Sequence, residues 1–260
     1  MKQPRCILTI AGSDSGAGAG IQADARAIHA LGGYALTAIT AVTAQNSRGV
    51  AAWKPVPTAL LAAQIKTVTG DFSVTAAKTG QLPGPAAVRA VAAALPPGIP
   101  LVIDPVIGST SGTRFLNDAG VRALRRHLFP RATLVTPNWP ELAALTGGRI
   151  QTFVDVEPAA RLLLATGCQA VLVKGGHAPG NNCRDFLITA DGRTRWFEGS
   201  RVNTRNLHGT GCVLSAAIAT FLAQGYNVED AVHRARQFLR QSLMKNRRVR
   251  LGRGAGPALP

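Results

Sequence analysis

Short apolar runs of strand length alternate along the chain with longer segments in which apolar residues recur at helical spacing. The short runs predict buried strands over 6–11, 36–42, 50–56, 76–80, 101–103, 132–135 and 170–174. The longer segments predict helices over 21–31, 58–68, 85–95, 118–127, 156–166, 213–222 and 228–244. This alternation is typical of a mostly parallel sheet with helices on both faces, so we predict a single α/β domain over residues 1–260. Residues 186–189 and 194–197 flank Asp191-Gly192, a dipeptide that favours a β-hairpin.

Polar residues follow several predicted strands at the point where each strand ends. In a parallel sheet these ends lie at one edge, where ligands of such folds bind. We therefore expect a ligand site at that edge. The residues concerned are Asp14, Gln45, Asp104, Asn138, Lys174 and the turn Gly209–Cys212.

The turn Gly209–Cys212 leads directly into an apolar helix. The first N–H groups of a helix have no partner within it and lie at the positive end of its dipole, so they bind anions, phosphate above all. The same field lowers the pKa of a thiol, and we expect this of Cys212. A second interpretation is a glycine-rich loop that only caps a core helix.

The glycine loop at 12–20 lies between the first predicted strand and the first predicted helix. Its glycines are not spaced as in a dinucleotide-binding fingerprint, and no acidic residue follows about twenty positions on. No Gly-Lys-Ser/Thr closes it, so it is not a P-loop either.

Composition excludes several classes of protein. Apolar residues make up 46% of the 260 residues, enough for a large core, but no run is long enough to span a membrane. The first residues show no cleavable signal pattern. The four cysteines are scattered, which argues against a zinc site or a disulfide framework and fits a reducing cytoplasm.

The formal net charge of +16 is unusual. Arginines cluster at 122–127 and 234–253, without the interleaved aromatic residues that a nucleic-acid stacking surface needs. We interpret most of this charge as solvated helix surface. Steering of an anionic substrate and nucleic-acid binding are the less favoured alternatives.

Six motifs occur in the order found in the hydroxymethylpyrimidine and hydroxymethylpyrimidine-phosphate kinases of thiamin biosynthesis, and nearly the whole chain resembles this family. The resemblance implies a ribokinase-like three-layer α/β/α sandwich with a mostly parallel central sheet. The motifs are AGSDSGAGAGIQAD at 11–24, TAQNSRGV at 43–50, DPV at 104–106, TPNWPE at 136–141, VKGGH at 173–177 and HGTGC at 208–212.

The resemblance implies phosphorylation by ATP and Mg²⁺ of the hydroxymethyl group of an aminopyrimidine, and then of the resulting monophosphate. Gln45 would hydrogen-bond the aminopyrimidine edge, since an amide offers both a donor and an acceptor. Gly12 and Asp24 would lie near this substrate, as would Gln81 and Ile107. For Asp24, a position on the helix surface is an equal alternative.

The resemblance also assigns the nucleotide and metal sites. Lys174, Asn138, Thr210 and Asp185 would contact ATP. Glu141, Asn138 and Asp104 would hold Mg²⁺ largely through water, as Mg²⁺ prefers.

The turn before the apolar helix would be the catalytic centre. Gly209, Thr210 and Gly211 would form an anion hole for the transferring phosphoryl group. Cys212 would act as the general base, where most ribokinase-like enzymes have Asp.

Two of the departures from the family pattern bear directly on the substrate. Gln81 replaces a usual Met of the pyrimidine pocket, and Thr110 replaces a usual Lys that could meet a substrate phosphate. Two alternative functions therefore stay open: a pyridoxal kinase on the same scaffold, and a catalytically weakened binder of pyrimidines or nucleic acid. The resemblance implies a homodimer and no membrane partner.

Overall fold

The computed structural model describes residues 3–108, 112–177 and 182–260. In these ranges the strands form one nine-stranded sheet, and the predicted parallel arrangement with a terminal hairpin is confirmed. The strands are β1 (Cys6–Asp14), β2 (Tyr34–Asn46), β3 (Gly49–Pro55), β4 (Val74–Thr79), β5 (Leu101–Ile103), β6 (Leu134–Val135), β7 (Ala170–Val173), β8 (Asn182–Thr189) and β9 (Thr194–Ser200). Their order across the sheet is β3-β2-β1-β4-β5-β6-β7-β8-β9, with β3, β8 and β9 antiparallel to their neighbours.

Helices cover both faces of the sheet, and the three-layer α/β/α architecture is confirmed. One face carries α2 (Thr58–Asp71), α3 (Gly84–Ala94), α4 (Asp118–Ala123), α5 (Trp139–Thr146) and α6 (Val156–Leu164), whose apolar residues form one core cluster. The other face carries α1 (Gly20–Ala30), α7 (Thr210–Ala223) and α8 (Val228–Lys245), which form a second cluster. No helix in the described ranges combines the length and apolarity needed to cross a membrane.

Strands β1 and β2 are longer than their apolar runs predict. Backbone pairing continues from Ser13 and Asp14 of β1 to Val42 and Thr43 of β2, beyond a shift of register. The last residues of β2 then pair with β3, so Gln45 is held in a strand rather than in a loop. The extension positions the side chains of Asp14 and Gln45 at the edge where the ligand site was predicted.

The basic helix predicted over 118–127 changes form part-way. The α-helix ends at Ala123 and a wider π-helical turn continues to Leu128, followed by a 3-10 turn at Phe129–Arg131. Pro130 lies in this 3-10 turn and has no N–H group, so the helix does not continue beyond it.

Helix α7 is apolar on almost all sides and lies between the sheet and its two neighbours, α1 and α8. Its two buried hydroxyls bond within the helix, Ser215 to the Gly211 carbonyl and Thr220 to the Ala216 carbonyl. The packed core therefore fixes the position of the turn at its N-terminus.

Candidate active site

A cavity opens at the carboxyl ends of the parallel strands, as predicted from the polar residues found there. It brings together residues from the glycine loop, from β2, from α5 and from the turn before α7. Its lining includes Gly12, Asp14, Gln45, Gln81, Asp104, Asn138, Glu141, Lys174, His208, Gly209, Thr210, Gly211 and Cys212.

Glycine is required at Gly209, the residue before the first turn of α7. Its φ is +79°, and a Cβ there would clash with the carbonyl oxygen of Gly18. A Cβ on Gly211 would lie 3.3 Å from both Asp104 Oδ2 and Lys174 Nζ, so this backbone approaches a buried ion pair closely. The turn presents main-chain N–H groups at the floor of the cavity, next to the Lys174 cation.

The thiol of Cys212 corrects one expectation. Burial raises the pKa of Cys212 to about 11, and the nearby carboxylates of Asp24 and Asp104 act in the same direction. Lys78 and the N–H group of Gly20 oppose this without reversing it. The predicted lowering by the helix N-terminus is therefore wrong, because it neglected the cost of ionising a thiol in a dry site.

A charged cluster lines the cavity at the C-terminal ends of β5 and β7. It consists of Asp104, Lys174 and Glu141. Lys174 Nζ lies 2.6 Å from Asp104 Oδ1 and 3.8 Å from Glu141 Oε2. Burial alone would lower the pKa of Lys174, but the two carboxylates raise it above its ordinary value. Burial raises the pKa of Glu141 to about 7, opposed by Lys174. The cluster holds a permanent cation at the cavity wall.

Asn138 and Glu141 form a capping box at the start of α5. Asn138 Oδ1 accepts from the Glu141 N–H at 2.8 Å, and Glu141 Oε2 accepts from the Asn138 N–H at 2.8 Å. Each side chain therefore fixes the other at the edge of the cavity.

Asp14, Gln45 and His208 form a second polar group on the opposite side. Asp14 accepts from the N–H groups of Gly16, Gly18 and Ala19, and His208 Nε2 lies 3.0 Å from Asp14 Oδ2. Burial alone would raise the pKa of Asp14, but these hydrogen bonds hold it below its ordinary value.

Gln45 Nε2 lies 3.0 Å from His208 Nε2 and 3.4 Å from Asp14 Oδ2, so the amide is oriented by this pair. No role was predicted for His208 from the sequence. Its place immediately before the Gly209 turn was the signal that could have identified it.

Gly12 and Gln81, both predicted near the substrate, meet at the cavity wall. A Cβ on Gly12 would clash with Gln81 Oε1. Gln81 is 9% exposed, and its Nε2 atom has no hydrogen-bond partner among the described residues. Thr110, the other departure from the family pattern that bears on the substrate, lies outside the described residues.

Three predicted contact residues do not line the cavity. Asp24 is fully buried against Lys78 and Thr9, so it lies neither in the cavity lining nor on the helix surface. Ile107 packs on the core cluster below, although its neighbours Val106 and Gly108 reach the cavity.

Asp185 is the third predicted contact residue that does not line the cavity. It accepts from the Gly175 N–H and from Arg236 Nε, both at 2.6 Å. Its carboxylate therefore fixes the turn that follows Lys174 and is not free for a nucleotide.

A family model described as phosphomethylpyrimidine kinase matches residues 14–259 of this chain. The chain belongs to this family. A hydroxymethylpyrimidine/phosphomethylpyrimidine kinase of Rhizobium meliloti (strain 1021) is 43% identical over 252 residues, covering 96% of this chain and 94% of the relative. The resemblance seen in the motifs is thus confirmed.

Solved structures agree with this membership. The phosphomethylpyrimidine kinase of Clostridium difficile 630 has a TM-score of 0.80 at 34% identity, covering 92% of this chain and 99% of its own. The pyridoxal kinase of Staphylococcus aureus in complex with pyridoxal has a TM-score of 0.88 at 28% identity, covering 98% of this chain and 93% of its own.

Proposed function

We propose that this phosphomethylpyrimidine kinase family member transfers the γ-phosphoryl group of ATP to the hydroxymethyl group of an aminopyrimidine, and then phosphorylates the monophosphate. The observation that carries the proposal is the division of one cavity into two polar sides. Gln45 and Lys174 both line the cavity, and the turn before α7 reaches both: His208 at its start contacts Gln45, and Gly211 within it approaches Lys174.

Gln45 supports an aminopyrimidine acceptor. An amide can accept from an exocyclic amino group while it donates to the adjacent ring nitrogen. Asp14 and His208 both contact Gln45 Nε2 and so orient the amide, and one of these contacts is exchanged for the ring nitrogen when the pyrimidine binds.

Lys174 and the α7 N-terminus support phosphoryl transfer. This reaction depends mainly on positioning and on stabilisation of charge on the transferring group. The Lys174 ammonium and the N–H groups of Gly211 and Cys212 lie around the same space. We propose that they meet the phosphate oxygens as the charge moves from ATP to the acceptor.

The donor set fits a hydrated Mg²⁺ ion. The described residues contain no group of three metal-ligating side chains, and Glu141 and Asn138 already bond to each other. Mg²⁺ usually keeps several of its waters. We propose that Glu141, Asn138 and Asp104 hold it through those waters. When bound, the ion neutralises charge on the phosphates.

Cys212 would serve as the base for the first phosphorylation only. Its thiolate would accept the hydroxyl proton and become the thiol; this thiolate is the minor form near neutral pH, because burial raises the pKa of Cys212 to about 11. In the second step the acceptor is a phosphate that is already ionised near neutral pH, so a base matters less.

Phosphorus NMR of products tests the proposal directly. With hydroxymethylpyrimidine and excess ATP–Mg²⁺, we expect a monophosphate signal followed by a pyrophosphate signal. Accumulation of the monophosphate alone would show that the second step is absent. A lack of any ATP turnover, together with binding of the pyrimidine, would instead support the weakened binder.

A pyridoxal kinase is the second candidate, and the unpartnered amide of Gln81 favours it. A buried donor at the ring pocket suits a ring that carries a hydroxyl acceptor, as pyridoxal does. A coupled ADP-release assay with each acceptor separates the two. Turnover of pyridoxal without turnover of hydroxymethylpyrimidine would overturn the first proposal.

We also propose that the enzyme acts as a homodimer in the cytoplasm. Its four cysteines are free, as expected of a reducing compartment. Light scattering coupled to size exclusion would report a mass near twice that of the chain, and a single-chain mass would contradict the dimer.

A further inference from the structure

Residues 246–258 run as an extended tail across the two loops that end on the acceptor side of the cavity. At one loop, the N–H groups of Arg253 and Gly254 donate to Ser47 Oγ at 3.1 and 3.0 Å. Ala255 N–H donates to the Ser47 carbonyl at 2.9 Å. The tail is thereby fixed two residues from Gln45.

At the other loop, the tail bonds to residues 204–208. The Asn206 amide donates to the carbonyls of Asn246 and Val249, at 2.8 and 3.0 Å. His208 N–H donates to the Gly256 carbonyl, and Ala258 N–H donates back to the His208 carbonyl. Gly256 is needed here, because a Cβ would clash with Asn206. The tail therefore joins both acceptor-side loops.

Six arginines lie on the tail and on the two loops that it joins, and all are exposed. Within the described ranges, none of the six forms an ion pair, whereas other surface arginines such as Arg161 and Arg193 do. We call this set the arginine strip. Its members are Arg48, Arg205, Arg247, Arg248, Arg250 and Arg253.

The strip borders only one of the two sides of the cavity. Arg48 lies three residues from Gln45, and Arg205 lies three residues from His208. The nucleotide side, by contrast, is built from α5 and the Lys174 turn, to which the tail makes no described hydrogen bond. Six arginines without a described ion pair thus border the acceptor side of the cavity.

We propose that the arginine strip attracts the phosphorylated acceptor, a small phosphomonoester dianion, to the acceptor side of the cavity. This inference rests on the proposed function, because it concerns the phosphorylated substrate of that same site. A neutral hydroxymethyl acceptor gains nothing from the strip. The strip therefore favours the second phosphorylation over the first.

The expected size of the effect follows from screened Coulomb attraction. The attraction between one arginine and a dianion about 10 Å away is weak in water once it is screened by salt with a Debye length of about 10 Å. Four such charges together change kcat/KM by about fivefold at low ionic strength. At high salt, where the Debye length is about 3–5 Å, the change falls below about twofold.

The test removes four strip charges and compares them with four charges removed elsewhere. The strip variant is Arg48→Gln, Arg205→Gln, Arg250→Gln and Arg253→Gln. The control is Arg89→Gln, Arg122→Gln, Arg126→Gln and Arg149→Gln, four exposed arginines with no described ion pair and none in the cavity lining. Both variants have the same net charge, so only the place of the lost charge differs.

The assay measures kcat/KM for the phosphomonoester and for the neutral alcohol, at saturating ATP–Mg²⁺ and at low and high salt. We expect the strip variant to lose about fivefold with the phosphomonoester at low salt and less than about twofold with the alcohol. The control is expected to lose less than about twofold with either. The single variant Arg253→Gln, which keeps all main-chain bonds of the tail, should show a smaller loss of the same kind.

Three results would overturn the inference alone: equal losses in the strip variant and the control, equal losses with both acceptors, or a loss that salt does not reduce. Unchanged kinetics with weakened binding of a labelled single-stranded DNA would assign the strip to nucleic acid instead. No turnover by the wild-type enzyme would overturn the proposed function, and this inference with it.

Discussion

Lys78 Nζ lies 2.9 Å from one carboxylate oxygen of Asp24 and 2.8 Å from the other, and neither side chain is exposed to solvent. Thr9 Oγ1 donates to the same carboxylate at 2.5 Å. A Cβ on Gly80, which lines the cavity, would lie 3.0 Å from Lys78 Nζ. A fully buried ion pair thus supports the cavity floor from below.

Removing one partner of this pair leaves the other charge buried and uncompensated. We expect Lys78→Met to lower the free energy of unfolding by about 3–5 kcal/mol in urea denaturation. The exposed pair of Arg161 and Glu157 provides the control, and Arg161→Met should cost less than about 1 kcal/mol. The double variant Lys78→Met, Asp24→Leu should cost less than Lys78→Met alone. An equal or larger cost for the double variant would contradict this account.

Glu141 makes the unfolding free energy depend on pH. Burial raises its pKa from 4.5 in the unfolded chain to about 7, so the folded state binds more protons between these values. Stability contributed by this group is therefore full below about pH 4.5 and falls as the pH rises to about 7. A Gln at this position can keep the capping box. We therefore expect Glu141→Gln to abolish this pH-dependent fall in the free energy of unfolding, which is on the order of 2 kcal/mol.

Chemical denaturation of metal-free protein at pH 5 and pH 8 measures this difference. Glu157→Gln, at an exposed carboxylate, is the control and should leave the pH dependence unchanged. The assignment fails if the wild type and Glu141→Gln lose the same stability over this range.

Cys212→Ala separates the two phosphorylation steps. A positioned general base typically contributes about 10²–10⁴ in rate, so we expect at least a hundredfold loss in the first step. The second step should lose less than about tenfold, because its acceptor is already ionised. With a pKa near 11, the thiol should also make the wild-type first step faster as pH rises from 7 to 9.

Rapid-quench product analysis with each acceptor gives both rates. Cys183→Ala is the matched control, since burial also raises the pKa of Cys183 to about 11 but its thiol is outside the cavity lining. Equal losses in both steps would show that Cys212 acts through the geometry of the turn.

Gln81→Met tests the unpartnered amide at the ring pocket. The substitution removes a buried donor that has no described partner, so we expect a gain of about 1 kcal/mol in the free energy of unfolding. It should also raise kcat/KM for hydroxymethylpyrimidine relative to pyridoxal. Gln64→Met is the control: the Gln64 amide makes two hydrogen bonds to Ile39, and its loss should destabilise the protein. Destabilisation by both substitutions would refute the argument.

The position of the site could be predicted from the sequence because parallel strands end at one edge. Asp14, Gln45, Asp104 and Lys174 follow different strands, and all four line the cavity. No knowledge of side-chain packing was needed, since the strand–helix alternation alone determines which ends meet.

Which distant residues form ion pairs or bury each other could not be predicted in the same way. Asp24 and Lys78 are 54 positions apart, and nothing in their local patterns shows that both are buried. The pKa of Cys212 depends on a balance between the helix dipole, desolvation and three other charges. To predict such a pKa, the positions of all the contributing groups must be known, whereas a sequence motif gives the position of only one of them.

The tail that joins the Ser47 loop to the His208 loop also has a consequence for how the enzyme is made. Its hydrogen bonds link residues 47 and 208 to residues 253–258, so this connection between the acceptor-side loops is complete only once residue 258 has been synthesised. A nascent chain that has already folded β1 to β7 still lacks this connection. We therefore expect full catalytic competence to be acquired late in synthesis, and a fusion that displaces the tail to give a folded but poorly active enzyme.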